Sequence, residues 1–116
     1  MSWSPSSKEV LPTEFVETAS KKHVAIFHVW ASWNANDKTM DIRLGKIAAK
    51  YGHQIFLGSI DADDPGHWQM CRELGVLNLP ALVSFVNGKH FETLIGLRSE
   101  EDLDSKLQAW LNSARA

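Results

Sequence analysis

One stretch of the chain, residues 23–30, is almost continuously apolar and has the length of a single β-strand. An apolar run of this length, without alternation, is typical of a central strand that is covered on both faces. No apolar stretch in the sequence approaches the roughly 20 residues that a membrane-spanning helix needs. The run therefore predicts a layered α/β domain in which helices pack on both sides of a sheet.

Helical periodicity and a turn signal place further elements around this strand. A stripe at helical spacing predicts a long helix after the run, and its residues are Met40, Leu44, Ile47, Ala48 and Tyr51. Residues 54–60 form a second strand pattern, and Asp64-Pro65 is typical of the capped start of another helix. Asn87-Gly88, a strong hairpin signal, separates strand patterns at residues 81–86 and 89–95.

Two more helices complete the pattern at either end of the chain. Thr13 is expected to cap a first helix whose buried side carries Phe15, Val16 and Ala19. Ser99 precedes a last helix with an apolar stripe of Leu103, Leu107, Trp110 and Leu111. This order predicts one domain, residues 10–116, built as a three-layer α/β/α sandwich with a central mixed sheet and flanking helices. We expect the polar residues 1–9 to be a flexible segment.

Charge and cysteine content narrow the classes of function. The net charge of −2 comes from 12 basic and 14 acidic residues without a block of like charge, so we expect neither nucleic acid nor a membrane as a partner. The N-terminal residues lack the basic start and apolar core of a secretion signal. Cys71 is the single cysteine, which excludes an internal disulfide and a Cys-x-x-Cys pair. These features predict a cytoplasmic protein.

Several landmarks of the thioredoxin family occur in order and at compatible spacing. They are Trp30, Ala31 and Trp33 at the end of the apolar run, Pro80 in the segment before the third strand, and then Asn87-Gly88 and Gly96. The chain resembles thioredoxins over about residues 22–111. The resemblance implies a thioredoxin-like fold in which Pro80, at the position of the family's cis-proline, faces the loop after Trp33.

The chain departs from the family where thioredoxins carry their chemistry. The loop reads Trp33-Asn34-Ala35-Asn36-Asp37-Lys38 where a thioredoxin has Trp-Cys-Gly-Pro-Cys-Lys, so both redox cysteines are absent. The family's buried acid aligns with His28, and the lysine that accompanies it aligns with Leu57. The resemblance therefore implies that dithiol–disulfide exchange is lost, and we expect neither a catalytic residue in the motif nor a cofactor.

The altered motif has two interpretations. Asn34 is a favoured helix N-cap, and Asp37, three residues on, would return a hydrogen bond to the Asn34 backbone N–H as the acid of a capping box does. The alternative is a polar recognition or metal site formed by Asn34, Asn36 and Asp37. One carboxylate and two amides are a poor ligand set for zinc or calcium, so we expect no metal.

Two isolated side chains also have alternative roles. Cys71 shares a helical stripe with Met70 and Leu74, which indicates a buried thiol acting as a small hydrophobe. The alternative for this thiol is a redox sensor or the contact of a mixed disulfide. His28 lies within the apolar run, which indicates a neutral core histidine with one hydrogen-bond partner rather than a general base. Neither a serine nor an acid recurs near it at a spacing typical of a catalytic triad.

The resemblance and the missing cysteines together predict a binding module. In thioredoxins a groove beside the motif holds extended peptides, and the backbone next to Pro80 can pair with an incoming strand. We expect the groove to persist and to bind another protein or an extended peptide. Its predicted residues are Trp33, Asn34, Ala35, Asn36, Asp37, Leu79, Pro80 and Gly96.

Two alternatives to a binding module stay open. One is an oxidoreductase or sensor that uses Cys71, and the other is self-association through the groove, so we expect a monomer or weak homodimer. Trp68 either packs on the sheet or widens the contact surface.

Overall fold

The computed structural model describes residues 3–115, in which a five-stranded sheet lies between two layers of helices. The strands are β1 (Lys8–Glu9), β2 (Val24–Trp30), β3 (Ile55–Asp61), β4 (Ala81–Val86) and β5 (Lys89–Ile95). The helices are α1 (Phe15–Ala19), α2 (Ala35–Tyr51), α3 (Trp68–Glu73) and α4 (Glu100–Arg115). Short 3-10 turns cover Pro12–Glu14, Gly52–Gln54 and Pro65–His67.

The sheet is mixed and has β2 at its centre. The strand order is β1-β3-β2-β4-β5, with β2 parallel to β3 and antiparallel to β4. Every residue of β2 is buried, as the apolar run predicted for a strand covered on both faces. Val24 and Ile26 point to one core and Ala25, Phe27 and Val29 to the other, because successive side chains of a strand alternate between faces.

Each face of the sheet has its own hydrophobic core. The first core joins the sheet to α2 and α4, and its helical members are Met40, Leu44, Ile47, Leu103, Leu107, Trp110 and Leu111. The second core joins the sheet to α1 and α3, and its helical members include Phe15, Ala19, Met70 and Cys71. The apolar stripes read from the sequence for α2 and α4 are therefore the faces that these helices bury. The predicted three-layer sandwich is confirmed.

The β4–β5 hairpin has the bounds that the sequence predicts. Asn87 has φ of 51° and Gly88 has φ of 81°, so both turn residues lie in the left-handed region. A two-residue hairpin loop of this kind needs φ above zero at both positions, and Asn-Gly is the sequence that adopts it most readily. Two helix caps are confirmed as well, because Ser99 Oγ accepts from Asp102 N–H at 3.1 Å and Asp64 Oδ1 from Gly66 N–H at 2.9 Å.

The first helix differs from the prediction. The chain enters it through a 3-10 turn that starts with Pro12, in which Glu14 accepts from the Leu11 N–H at 3.0 Å, and Thr13 caps nothing. Val16 is 82% exposed instead of buried. Phe15, Thr18 and Ala19 share the inner face of this short helix, and Val16 lies about 100° around the axis from Phe15, outside that face.

Part of the N-terminal segment contacts the rest of the fold. Lys8 and Glu9 pair with Gly58 and Ser59 as strand β1, and Ser6 donates its N–H to Asp41 at 3.0 Å. Residues 1 and 2 of the segment predicted to be flexible lie outside the described residues. At the other end of the chain, residue 116 also lies outside them. Both β1 side chains are exposed, so this strand leaves no apolar signal in the sequence. Among the helices of residues 3–115, none combines the length and the apolar character needed to cross a membrane.

Candidate functional site

The altered motif and the segment before β4 meet at one end of the sheet. The motif follows the end of β2, and its Asn34 begins α2. The Asn34 Nδ2 atom donates to the carbonyl oxygen of Leu79 at 3.1 Å, and the peptide bond between Leu79 and Pro80 is cis. The two segments that the resemblance places face to face are therefore in direct contact.

Asn34 caps α2 as predicted. Its backbone is extended, with φ of −100° and ψ of 109°, and its Oδ1 atom accepts from the Asn36 N–H at 3.0 Å. This bond satisfies one of the backbone donors that lack a partner at the start of a helix. The oxygen of the side-chain amide thus caps the helix while its nitrogen binds Leu79.

The predicted capping box is wrong, because Asp37 does not reach back to the Asn34 backbone. The Asn34 N–H donates to the Ala31 carbonyl at 3.1 Å. Asp37 is fully buried, and its Oδ2 atom accepts from the Ala31 N–H at 3.1 Å. Position 37 lies three residues before Met40 on the buried stripe of α2, so its side chain turns toward the sheet and not toward the cap. A fully buried side chain also cannot line a surface groove.

Asp37 has a second partner that the sequence analysis did not identify. Its Oδ1 atom lies 2.8 Å from His28 Nε2, and both side chains are completely buried. The predicted core histidine with one hydrogen-bond partner is therefore present, and an acid does lie beside it. The signal in the sequence was the helical stripe, on which Asp37 takes the place of an apolar residue.

The buried pair does not form a catalytic triad. Ser59 lies opposite His28 on β3, but its hydroxyl donates to the backbone carbonyls of Ser7 and Lys8 at 3.3 and 3.4 Å. His28 Nδ1 has no hydrogen-bond partner among the described residues. His28, Asp37 and Ser59 are each at most 2% exposed, which leaves no access for a substrate. The pair connects the central strand to the first turn of α2.

An open apolar groove of about 450 Å³ lies beside the motif. Its lining combines residues from the motif, from the turn after β3, from α3 and from the segment before β4: Trp33, Ala62, Trp68, Cys71, Arg72, Val76, Leu77, Asn78 and Leu79. Trp33 is 69% exposed, Trp68 56% and Leu77 87%. Large exposed apolar side chains that gather in one place are typical of interaction surfaces.

Both tryptophan rings are oriented by bonds within the chain. The indole N–H of Trp33 donates to Asp63 Oδ1 at 3.2 Å, and that of Trp68 donates to the Ala62 carbonyl at 3.1 Å. Their polar atoms are therefore engaged, and the groove presents mainly the aromatic faces. Trp68 thus lines the groove with an exposed ring, and its role in contacting a partner stays a prediction.

The predicted groove residues take different places. Trp33 and Leu79 line the groove. Asn34 does not line it, but its side-chain amide donates to the Leu79 carbonyl. Pro80 is buried, and its carbonyl accepts from the Gly96 N–H at 2.8 Å, so neither residue belongs to the lining. Ala35 and Asn36 are exposed on the first turn of α2, outside it. The sequence analysis missed Arg72, which lies on α3, and also Val76 and Leu77, for which only their position between α3 and β4 was a signal.

The backbone of Leu79 is already occupied on both sides. Its N–H donates to Asn78 Oδ1 at 2.8 Å, and its carbonyl accepts from Asn34 Nδ2 at 3.1 Å. An incoming peptide strand would need these same two groups in order to pair here. Strand pairing beside Pro80 therefore competes with Asn78 for the Leu79 N–H and shares the Leu79 carbonyl with Asn34.

Cys71 lies half-buried at the groove and packs against the second core. Burial raises the pKa of its thiol above the ordinary value of 9.0. Because the thiolate is the reactive form of cysteine, this environment lowers its reactivity. The first of its two interpretations, a thiol acting as a small hydrophobe, agrees with this position. Within residues 3–115, no three side chains of His, Cys, Asp or Glu come close enough to hold a metal ion.

Comparison with solved structures identifies the fold. A mutant thioredoxin from Halobacterium salinarum NRC-1 superposes with a TM-score of 0.78, covering 92% of this chain and 90% of that one at 21% identity. The mixed five-stranded sheet, its two helix layers and the contact between the motif and Leu79 define a thioredoxin-like domain.

Comparison of sequences then gives the family. The family model described as Thioredoxin matches residues 6–109, so the chain belongs to the thioredoxin family. The thioredoxin of Griffithsia pacifica is 24% identical over 109 residues, which are 93% of this chain and 98% of that protein. The mitochondrial thioredoxin of Bos taurus is 28% identical over 85 residues, or 73% of this chain. That match spans about half of the bovine protein, at 49%.

Proposed function

We propose that this chain is a redox-inactive member of the thioredoxin family that binds another protein through the groove between Trp33 and Trp68. The observation that carries the proposal is the bonding of the side chains at motif positions 34 and 37. Asn34 and Asp37, which replace the cysteines, are both engaged in structural hydrogen bonds, while the aromatic groove beside them stays open. The chain keeps a surface for recognition and lacks the two thiols for exchange.

Cys71 does not replace the missing pair. It is half-buried, its pKa is raised, and the chain has no second cysteine that can resolve a mixed disulfide. We therefore propose a non-covalent interaction in which the chain acts as an adaptor, a chaperone-like factor or a subunit. A cytoplasmic location fits this role, because a chain with a single cysteine forms no internal disulfide and therefore can fold in a reducing compartment.

Affinity capture in the native host tests this function. Wild-type chain, Trp33→Ala and Cys71→Ala are compared as baits, with elution by dithiothreitol before elution by denaturant. We expect a partner that resists dithiothreitol, is retained by Cys71→Ala and is lost from Trp33→Ala. A partner that dithiothreitol releases and that Cys71→Ala fails to capture would instead indicate a thiol-dependent oxidoreductase or sensor.

A further inference from the structure

Resting on this proposed function, we infer that the partner is a peptide segment with a bulky apolar side chain next to an acidic one. The apolar side chain enters between Trp33 and Trp68, and the carboxylate binds Arg72. The segment is held by its side chains and does not add a strand to the backbone at Leu79.

The apolar requirement follows from the shape and chemistry of the groove. Its volume of about 450 Å³ lies toward the lower end of the roughly 300–1,000 Å³ that is usual for ligand pockets. A groove of that size admits one or two side chains. Trp33, Trp68 and Leu77 present exposed apolar surface, and the two indole N–H groups are already bonded within the chain. An aromatic or large aliphatic side chain fits such walls best.

The acidic requirement follows from Arg72. It is the single charged side chain that lines the groove, and it forms none of the ion pairs found between residues 3 and 115. A guanidinium group presents planar paired donors that match a carboxylate, and this geometry favours a bidentate contact. The carboxylate of Asp63 accepts a hydrogen bond from the indole N–H of Trp33 and does not line the groove, so Arg72 has no acidic neighbour in the lining.

The mode of binding follows from Leu79. Both of its backbone hydrogen-bonding groups have partners inside the chain, Asn78 on one side and Asn34 on the other. A strand that paired here would have to displace Asn78 from the Leu79 N–H and share the Leu79 carbonyl with Asn34, so pairing adds less affinity than it would at a free backbone. A side chain inserted between the tryptophans displaces neither bond.

Selection from a displayed library of random twelve-residue peptides tests the inference. We expect enriched peptides to share an aromatic or leucine residue beside Asp or Glu. Their affinity should fall about tenfold for Arg72→Glu and stay within twofold for Arg115→Glu, a matched charge change at the end of α4. Exchanging the acidic residue of the peptide for lysine should restore binding to Arg72→Glu.

A scan of the selected peptide with N-methylated amides tests the binding mode. Side-chain recognition predicts that single N-methyl groups change the affinity less than threefold, whereas a loss above tenfold at alternate positions indicates strand pairing and overturns the inference. Peptides that depend on Trp33 and Trp68 but neither carry an acid nor respond to Arg72→Glu also overturn it, and they leave the proposed function standing.

Two results would contradict the proposed function itself. The first is a library that yields no peptide whose binding depends on Trp33 or Trp68. The second is a mass in sedimentation that rises with concentration for the wild type and stays monomeric for Trp68→Ala. That second result assigns the groove to a second copy of this chain, so it overturns the peptide inference as well.

Discussion

His28 on the central strand and Asp37 on the first turn of α2 form a completely buried pair with 2.8 Å between Nε2 and Oδ1. The resemblance to thioredoxins places Asp37 at the position of the family's second cysteine and His28 at that of its buried acid. The two altered positions therefore touch each other. The buried contact between His28 on β2 and Asp37 on α2 therefore links the central strand to the helix that follows the motif.

Breaking this pair should strongly destabilise the fold. We expect Asp37→Ala and His28→Ala each to lower the free energy of unfolding by about 2–3 kcal/mol, because each leaves a buried polar atom without its partner. The double variant His28→Leu with Asp37→Leu should lose less than the sum of the two. Urea unfolding followed by circular dichroism measures this, with Glu101→Ala, an exposed acidic residue on α4, as the control. Single losses below about 1 kcal/mol would contradict the role assigned to the pair.

Asn34 should contribute through both ends of its amide. We expect Asn34→Ala to cost about 2 kcal/mol in unfolding free energy, since it removes a helix cap and the bond to Leu79. Asn34→Asp keeps the capping oxygen but sets a carboxylate oxygen against the Leu79 carbonyl in place of the donor, so about 1–2 kcal/mol should be lost. Asn36→Ala, at an exposed neighbour, should change stability by less than about 0.5 kcal/mol. Equal losses for Asn34→Ala and Asn36→Ala would show that neither bond matters.

Glu92 should make stability depend on pH in the acid range. Burial alone would raise its pKa, but hydrogen bonds from Lys106 and Trp110, with distances of 3.0 Å each, outweigh burial and hold the pKa below its ordinary value of 4.5. A lowered pKa in the folded state stabilises the fold fully above pH 4.5, and this contribution is lost as the pH falls through the folded value.

The variant Glu92→Gln should therefore be less stable than wild type near neutral pH and show a flatter loss of stability on acidification. Urea midpoints measured from pH 7 down to the acid limit of the fold give both slopes. Glu101→Gln is the control, because Glu101 is exposed on α4 and forms no ion pair with any residue that the structure describes. Parallel pH profiles for wild type and Glu92→Gln would rule out this assignment.

Cys71 should react slowly in the folded chain. Because burial raises the pKa of its thiol, less thiolate is present at a given pH than in the unfolded chain. We expect alkylation by iodoacetamide at pH 8 to be several-fold slower in buffer than in concentrated urea, as measured by mass spectrometry. Faster labelling of the folded chain would point to an activated thiol and would favour the sensor interpretation.

The lost motif should be restorable. Asn34→Cys with Asp37→Cys places two thiols one helical turn apart, and His28→Asp returns the acid that the family carries on the central strand. We expect the triple variant to form a reducible internal disulfide under mild oxidation, detected as a loss of two mass units and two free thiols. Two thiols that cannot be joined would mean that positions 34 and 37 do not correspond to the family's cysteines.

The sequence was most informative where structure is local or repeated. The hairpin at Asn87-Gly88 depends on two residues with positive φ, and the α2 and α4 stripes repeat over several turns. Strand β1 could not be read, because two exposed polar residues that pair only by backbone bonds give no pattern.

The site was read less completely than the fold. Asn34 was recognised as a cap, but Asp37 was assigned to the same cap because spacing alone suits a capping box. Its true partner, His28, lies on another element, and only tertiary packing brings the two together. The same reason hid part of the groove lining, because Arg72 on α3 and Leu77 in the following segment come close to Trp33 only in the folded chain.

The most direct test of the account is the rate of insulin disulfide reduction by dithiothreitol in the presence of the purified chain. We predict that wild type and Cys71→Ala leave the rate at that of dithiothreitol alone, whereas the triple variant with both motif cysteines accelerates it. Acceleration by the wild type that disappears in Cys71→Ala would contradict the account, because it would make this chain an oxidoreductase and not a binding protein.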